Sequence, residues 1–120
     1  MIVALLRVRI HIPGARSLKD RRAVVRKAVD RVRARFNVSV AEVGDVERWQ
    51  IATLAAVMVT NNHALATEVL DKITSAIASS VAGEAMITGR ETLFETYSDT
   101  EPVGEADGLQ EKFADGDEEA

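Results

Sequence analysis

The sequence predicts an α+β fold in which two helices cover one face of a four-stranded antiparallel sheet. One observation and one topological rule lead to this prediction. Segments of alternating hydrophobicity and segments of helical periodicity follow one another in the order βαββαβ over residues 1–97. Right-handed crossovers between such elements then place the four strands in the order 4-1-3-2.

The first strand has the clearest pattern. Residues 2–12 carry an apolar side chain at every even position, whereas the odd positions become basic at Arg7 and Arg9. Strict alternation of this kind is typical of a strand with one buried face. Pro13 and Gly14 follow directly and end the strand.

The first predicted helix spans residues 18–35. Ser17 is a candidate N-cap, and Asp20 occupies the acidic position three residues later, as in a capping box. The apolar residues of the segment are spaced as on one face of a helix. They are Leu18, Val25, Val29, Val32 and Phe36.

Three more strands are predicted after this helix. Residues 38–43 form a short strand. Residues 50–60 are apolar on both faces, which favours a central place in the sheet. Residues 84–97 form the last strand, where Gly89 indicates a bulge.

The second helix lies between the last two strands. Asn61 and Asn62 can cap its start, and Gly83 ends it. Its apolar stripe consists of Leu65, Val69, Ile73 and Ile77. The complete arrangement is the ferredoxin-like sandwich. Its predicted core includes Leu6, Val8, Ile10, Val25, Val29, Val32, Leu54 and Ile73.

Composition excludes several classes of protein. The 120 residues contain no cysteine, which excludes a disulfide framework and thiol catalysis and fits a reducing cytosol. Arginine at position 7 argues against a secretory signal, and no apolar run approaches the roughly 20 residues of a membrane span. We therefore expect a cytoplasmic protein with no membrane contact.

Positive and negative charge are segregated along the chain. Residues 7–35 hold eleven of the 15 Lys and Arg residues and two acids, whereas residues 98–120 hold nine acids and one lysine. A clustered basic face is the electrostatic footprint of a polyanion binder. The acidic segment also contains three glycines and a proline. We therefore predict a folded domain of residues 1–97 followed by a disordered acidic tail, residues 98–120.

The basic cluster is the candidate nucleic-acid-binding site. Four of its residues fall in one row along the exposed side of the first helix, while a loop residue and two strand residues extend the cluster. They are Arg7, Arg9, Arg16, Lys19, Arg22, Arg26 and Arg33. The sandwich could still place the strand pair on the face opposite the helix. A simpler alternative is that these side chains only solvate an exposed helix, although such a helix usually alternates charge signs.

Base stacking on the sheet is not expected. The first strand and the 50–60 strand contain no aromatic residue, and Trp49 at the edge is more typical of a core lid or an interface anchor. Nucleic acid would therefore be contacted at its backbone, with a strong dependence on salt.

Enzymatic chemistry has weak support. The nearest candidate is acyl-phosphate or phosphate-ester hydrolysis, in which Gly14 and Arg16 would cradle a phosphate while Asn61 or Asn37 orients a water. The loop, however, has one glycine instead of a glycine-rich pattern. The two histidines lie far apart in sequence and form no metal-binding pattern. We expect no enzyme activity, cofactor or metal.

Residues 11–60 carry a family resemblance. HIPGARSLKDRRAVVRKAVDRVRARFNVSVAEV, followed by RWQIATLAAVMVT, is similar to the YlxP-like family of small bacterial proteins of unknown function. The resemblance covers residues 1–97 and implies a ferredoxin-like fold in the bacterial cytoplasm. It also implies a link to the ribosome, because in many bacteria the family's genes lie beside those for a translation initiation factor and a ribosome maturation factor. The family supplies no catalytic residues.

Charge and resemblance together give a functional hypothesis. The chain is expected to be a non-enzymatic domain that contacts structured ribosomal RNA, or a ribosome assembly intermediate, through its basic first helix. The alternative is a homodimeric protein-interaction module whose basic helix docks on an acidic protein surface. Val3 and Leu5 lie on the sheet face without helices, which a second copy of the chain could cover.

Overall fold

Six elements follow one another in the predicted order βαββαβ. The computed structural model describes residues 1–44, 48–98 and 102–104. The elements are β1 (Ile2–His11), α1 (Leu18–Arg35), β2 (Ser39–Val43), β3 (Ile51–Thr60), α2 (His63–Ser80) and β4 (Met86–Thr96). Part of the predicted turn after β2, residues 45–47, and most of the predicted acidic tail, residues 99–101 and 105–120, lie outside the described residues.

The four strands form one antiparallel sheet in the order β2-β3-β1-β4. This is the predicted order 4-1-3-2 counted from the other edge, and β3 has the central place that its two apolar faces indicate. The predicted bulge is also confirmed. Arg9 pairs with Gly89 and Ile10 with Ile87, so that Thr88 is an additional residue in β4.

Side-chain caps fix where both helices begin. The Ser17 hydroxyl accepts a hydrogen bond from the backbone N–H of Asp20 at 3.2 Å, and the Asp20 carboxylate accepts one from the N–H of Arg16 at 3.0 Å. In α2, the Asn62 side chain accepts a hydrogen bond from the N–H of Leu65 at 3.0 Å. Each cap satisfies backbone donors that a helix leaves without an internal partner, which confirms both predicted starts.

The core lies between the helices and one face of the sheet. All eight predicted core residues are buried there together. The stripe predicted for α2 is wrong at Leu65, which is 45% exposed. The buried stripe consists of Ala66, Leu70, Ile73, Ala76 and Ile77, and therefore passes through small alanines that a search for large apolar residues overlooks.

The other face of the sheet is not covered by any helix in the described part of the chain. Its members follow from the strand register and from the alternation of side chains along each strand. We call it the open face. It comprises Val3, Leu5, Arg7, Arg9, His11, Ser39, Ala41, Val43, Ile51, Thr53, Ala55, Val57, Val59, Met86, Gly89, Glu91, Leu93 and Glu95.

Candidate functional site

The exposed side of α1 carries the densest positive charge of the described surface. Seven of its Lys and Arg side chains are exposed, and one further exposed arginine, Arg16, lies in the loop just before the helix. The helical residues are Lys19, Arg22, Arg26, Lys27, Arg31, Arg33 and Arg35. At 100° per residue they fall on two flanks of the buried stripe. The two flanks differ in how their charge is balanced.

The flank beside β2 is the basic row, defined as Lys19, Arg22, Arg26 and Arg33. It spans 14 residues of helix, or about 21 Å. The guanidinium of Arg33 donates to the carbonyl oxygen of Val40 at 3.2 Å, which places this flank against the sheet edge. The other three members have no ion-pair or hydrogen-bond partner within the described residues.

The flank beside α2 contains one ion pair. The ammonium of Lys27 pairs with the carboxylate of Glu84. Arg35 shares an open groove of about 610 Å³ with Glu68, Asp71 and Lys72 of α2, but Glu68 already pairs with Lys72 and Asp71 with Arg90. All four residues of the basic row lack an ion pair among the described residues, as do Arg31 and Arg35 on the α2 flank, so the row carries the larger share of the unpaired charge of α1.

The predicted site residues do not form one surface. Arg16 and the basic row lie on the helix side, whereas Arg7 and Arg9 lie on the open face, because odd positions of β1 point away from the helices. Arg7 also has a partner, since its Nε lies 2.7 Å from Oε1 of Glu91. The Nε of Arg9 donates to the hydroxyl of Thr88 at 3.3 Å. The sheet separates these two arginines from the other five residues.

Arg21 is a cation that the sequence analysis did not single out. It is only 2% exposed, unlike the other basic residues of α1. Its Nη2 donates to the carboxylate of Glu42 on β2, and its Nε donates to the carbonyl oxygen of Ile51 at 3.2 Å. The sequence contains an indication of this burial. Arg21 lies three residues after Leu18 and four before Val25, and this spacing places Arg21 on the apolar stripe of the helix. This arginine joins α1 to the sheet and is unavailable to a ligand.

The residues considered for phosphate hydrolysis lie at opposite ends of the sheet. Gly14 and Arg16 follow the end of β1. Asn61 follows Thr60, which pairs with Ile2 at the start of β1, and Asn37 precedes β2 near the same end. In addition, the carboxylate of Asp20 occupies the backbone N–H of Arg16, so a negative charge lies where a phosphate would be held. The predicted catalytic grouping is therefore not assembled.

The histidines are also far apart. His11 ends β1 on the open face, whereas His63 begins α2 with its ring 4.5 Å from that of Phe94. Within residues 1–44, 48–98 and 102–104, no group of His, Asp or Glu is arranged to hold a metal ion. Neither helix of the described chain is long and apolar enough to cross a membrane. Trp49 is more than half exposed and therefore does not close the core as a lid.

This topology and core define a small ferredoxin-like α+β domain. The chain belongs to the family described as protein of unknown function (DUF503), whose sequence profile matches residues 3–90. Uncharacterized protein YlxP of Bacillus subtilis (strain 168) is 32% identical to it over 80 residues, which cover 67% of this chain and 87% of that protein. The resemblance to the YlxP-like family is thereby confirmed.

One solved structure agrees with the fold. The de novo designed protein LFR1 1, described as having a ferredoxin fold, has a TM-score of 0.50 and 15% identity, with 88% of this chain and 95% of that chain covered. SnoaB, a cofactor-independent oxygenase from Streptomyces nogalater, has a TM-score of 0.43 and 11% identity, with 85% and 98% covered. The first likeness concerns the fold alone, and the second is too distant to support any inference.

Proposed function

We propose that the protein is a non-enzymatic domain that binds structured RNA through the basic row and Arg16, in the bacterial cytoplasm and in contact with a ribosomal particle. The observation that carries this proposal is the uncompensated charge beside β2. An ordinary solvated helix balances its cations with nearby acids, as Glu84 does for Lys27 on the α2 flank. No residue of the basic row forms an ion pair among the described residues, although Asp30 lies four residues after Arg26 on the helix.

The form of the surface favours contact with the nucleic-acid backbone. A row of cations about 21 Å long on a rigid helix can follow a line of phosphates. The open face offers no Phe, Tyr or Trp on which bases could stack, unlike sheets that read single-stranded RNA. Binding would therefore depend on shape and charge more than on sequence. The ribosomal setting rests on the gene neighbourhood that the family resemblance implies.

A salt series with matched double variants tests the proposal. Arg22→Gln with Arg26→Gln removes two charges from the basic row, and neither side chain has a structural partner among the described residues. Binding to a folded ribosomal RNA fragment, measured by fluorescence anisotropy, should weaken by about tenfold near physiological salt. The slope of log K against log salt should also fall by roughly 1.4 to 1.8, because two phosphate contacts are lost.

The control removes the same charge from the opposite side. Arg7→Gln with Arg9→Gln changes only the open face, so RNA affinity should change much less than in the helix variant. Equal losses in the two variants would show that net charge alone drives binding. If RNA binds weakly and without salt dependence, while an acidic protein competes for the basic row, the protein-docking alternative replaces the RNA proposal.

A further inference from the structure

The open face is a second surface whose features require an explanation independent of RNA binding. We propose that two copies of the chain pack their open faces together as a symmetric dimer, with Arg9 of each copy paired with Glu95 of the other. Three observations carry the proposal: the apolar row across the face, its unpaired charges, and its area.

Apolar side chains cross the middle of the open face. The register aligns Val57, Leu5 and Leu93 in one row across β3, β1 and β4. Leu93 is 52% exposed, and Val59 in the next row is 64% exposed. Burying such a row against a second copy removes apolar surface from water, which is the main driving force of association. Folding of the single chain leaves this surface in contact with solvent.

The charged residues of the face are only partly neutralised within one chain. Arg7 and Glu91 pair with each other at 2.7 Å. Arg9 donates to the Thr88 hydroxyl, and no carboxylate of the described residues pairs with it. The Glu95 carboxylate accepts a hydrogen bond from the Tyr97 hydroxyl at 2.5 Å but has no cationic partner there. One cation and one carboxylate therefore remain for another molecule.

Arg9 and Glu95 lie at positions where a two-fold axis can bring the Arg9 of one copy opposite the Glu95 of the other. The guanidinium of Arg9 lies across Gly89 on β4, since its Nε and Nη2 are each 3.5 Å from the position that a Cβ of Gly89 would take. Glu95 lies six residues further along the same strand, or about 20 Å away.

A two-fold axis between the facing sheets fits this spacing. If it runs perpendicular to the strands, between the row of Leu5 and the row of Arg7, it places Glu95 of one copy over Gly89 of the other. Each Arg9 then meets a Glu95, and the pair forms twice. The row of Val57, Leu5 and Leu93 lies on one side of the axis, and the row of Ala55, Arg7 and Glu91 lies on the other. The internally paired Arg7 and Glu91 of each copy therefore face the apolar row of the other copy, and the Arg9–Glu95 pairs lie further from the axis.

The size of the face is adequate for a stable dimer. Four strands, with β1 ten residues long, cover about 19 Å by about 34 Å at ordinary strand spacing and rise. Because β2 has only five residues, the occupied area is about 570 Å² per copy and about 1,140 Å² in total. This exceeds the roughly 1,000 Å² that a biological interface is expected to bury.

A charge exchange tests the pairing directly. The full-length chain without RNA should sediment as a dimer. Arg9→Glu and Glu95→Arg should each raise the dimer dissociation constant by about tenfold or more, because like charges then meet twice at the rim. The double variant R9E/E95R restores opposite charges, and its dissociation constant should return to within about threefold of the original.

Glu68→Arg is the matched control. It makes the same charge change as Glu95→Arg at an exposed position of α2, away from the open face, and should leave the dimer intact. Circular dichroism of each variant would show that it remains folded. A monomeric full-length chain, a dimer indifferent to both single changes, or a double variant that stays dissociated would each overturn the proposal. Because the readout contains no RNA, its failure would leave the proposed function unaffected.

Discussion

At the scale of single residues, Arg21 is a buried cation whose stability depends on its partners. Its guanidinium is removed from water, and the carboxylate of Glu42 and the carbonyl of Ile51 replace the lost hydration. Removing one member of a buried pair leaves the other charge uncompensated, whereas removing both can be nearly neutral. The pair therefore holds α1 to β2 and β3 only while both partners are present.

Glu42→Ala should lower the free energy of unfolding by about 3 to 5 kcal/mol, because Arg21 stays buried without its counterion. Adding Arg21→Met should recover part of this loss, since an apolar side chain of similar length can fill the site. Urea denaturation of the two variants measures the difference. A loss below about 1 kcal/mol for Glu42→Ala, the range of exposed ion pairs, would show that solvent reaches the pair in solution.

At the scale of elements, the apolar residues of α2 differ in how deeply they are buried. Ile73 is fully buried in the core, whereas Leu65 in the first turn is 45% exposed. Ile73→Ala should destabilise the domain by about 2 to 5 kcal/mol, because it leaves a cavity in a packed core. Leu65→Ala is the control in the same helix and should cost less than about 1 kcal/mol. Thermal or urea unfolding checks both values, and equal losses would contradict the packing described for α2.

The elements and their order could be predicted because hydrophobic periodicity records which side of a segment is buried. The alternation in β1 indicated which of its side chains face the core, and the capping residues Ser17 and Asn62 indicated where the helices start. The predicted stripe of α2 wrongly included Leu65, because two residues of the buried stripe are alanines and alanine is a weak marker of burial. The end of α1 at Arg35 was also predicted, whereas α2 ends at Ser80, before the predicted Gly83. The turn geometry depends on tertiary contacts, which a linear pattern does not contain.

The candidate site was predicted only in part, since clustering in sequence does not specify direction. Arg7 and Arg9 are close to the helical arginines along the chain but are separated from them by the sheet. The same alternation that marks β1 as a strand places them on the far side. The pairing of Arg21 with Glu42 required knowledge of how α1 lies against β2, although the position of Arg21 on the apolar stripe was readable.

At the scale of the whole molecule, the basic row must be considered together with the acidic C-terminal segment. Deleting residues 99–120 removes nine acids and one lysine. If that segment competes with RNA for the basic row, its deletion should tighten RNA binding at low salt, because a tethered polyanion acts at roughly millimolar effective concentration. The gain should shrink as salt rises, when screening shortens the Debye length below about 8 Å.

Anisotropy titrations of the full-length and truncated chains across a salt series measure this effect. A truncation that leaves RNA affinity unchanged at every salt concentration would argue against competition, while the basic row would remain the binding surface. A constant gain at all salt concentrations would indicate a steric effect of the segment instead of an electrostatic one.

The central position of β1 also affects how the domain is made. The first strand to leave the ribosome pairs with β3 and β4, so Ile2 meets Thr60 and Thr96 only after most of the domain has been synthesised. Protein synthesis adds about 5 to 20 residues per second, so several seconds pass between the synthesis of β1 and that of both strands with which it pairs. The β2–β3 ladder is the pairing between consecutive strands, and the sheet is completed only when β4 arrives. The last residues of the domain therefore determine when its first residues become protected from aggregation.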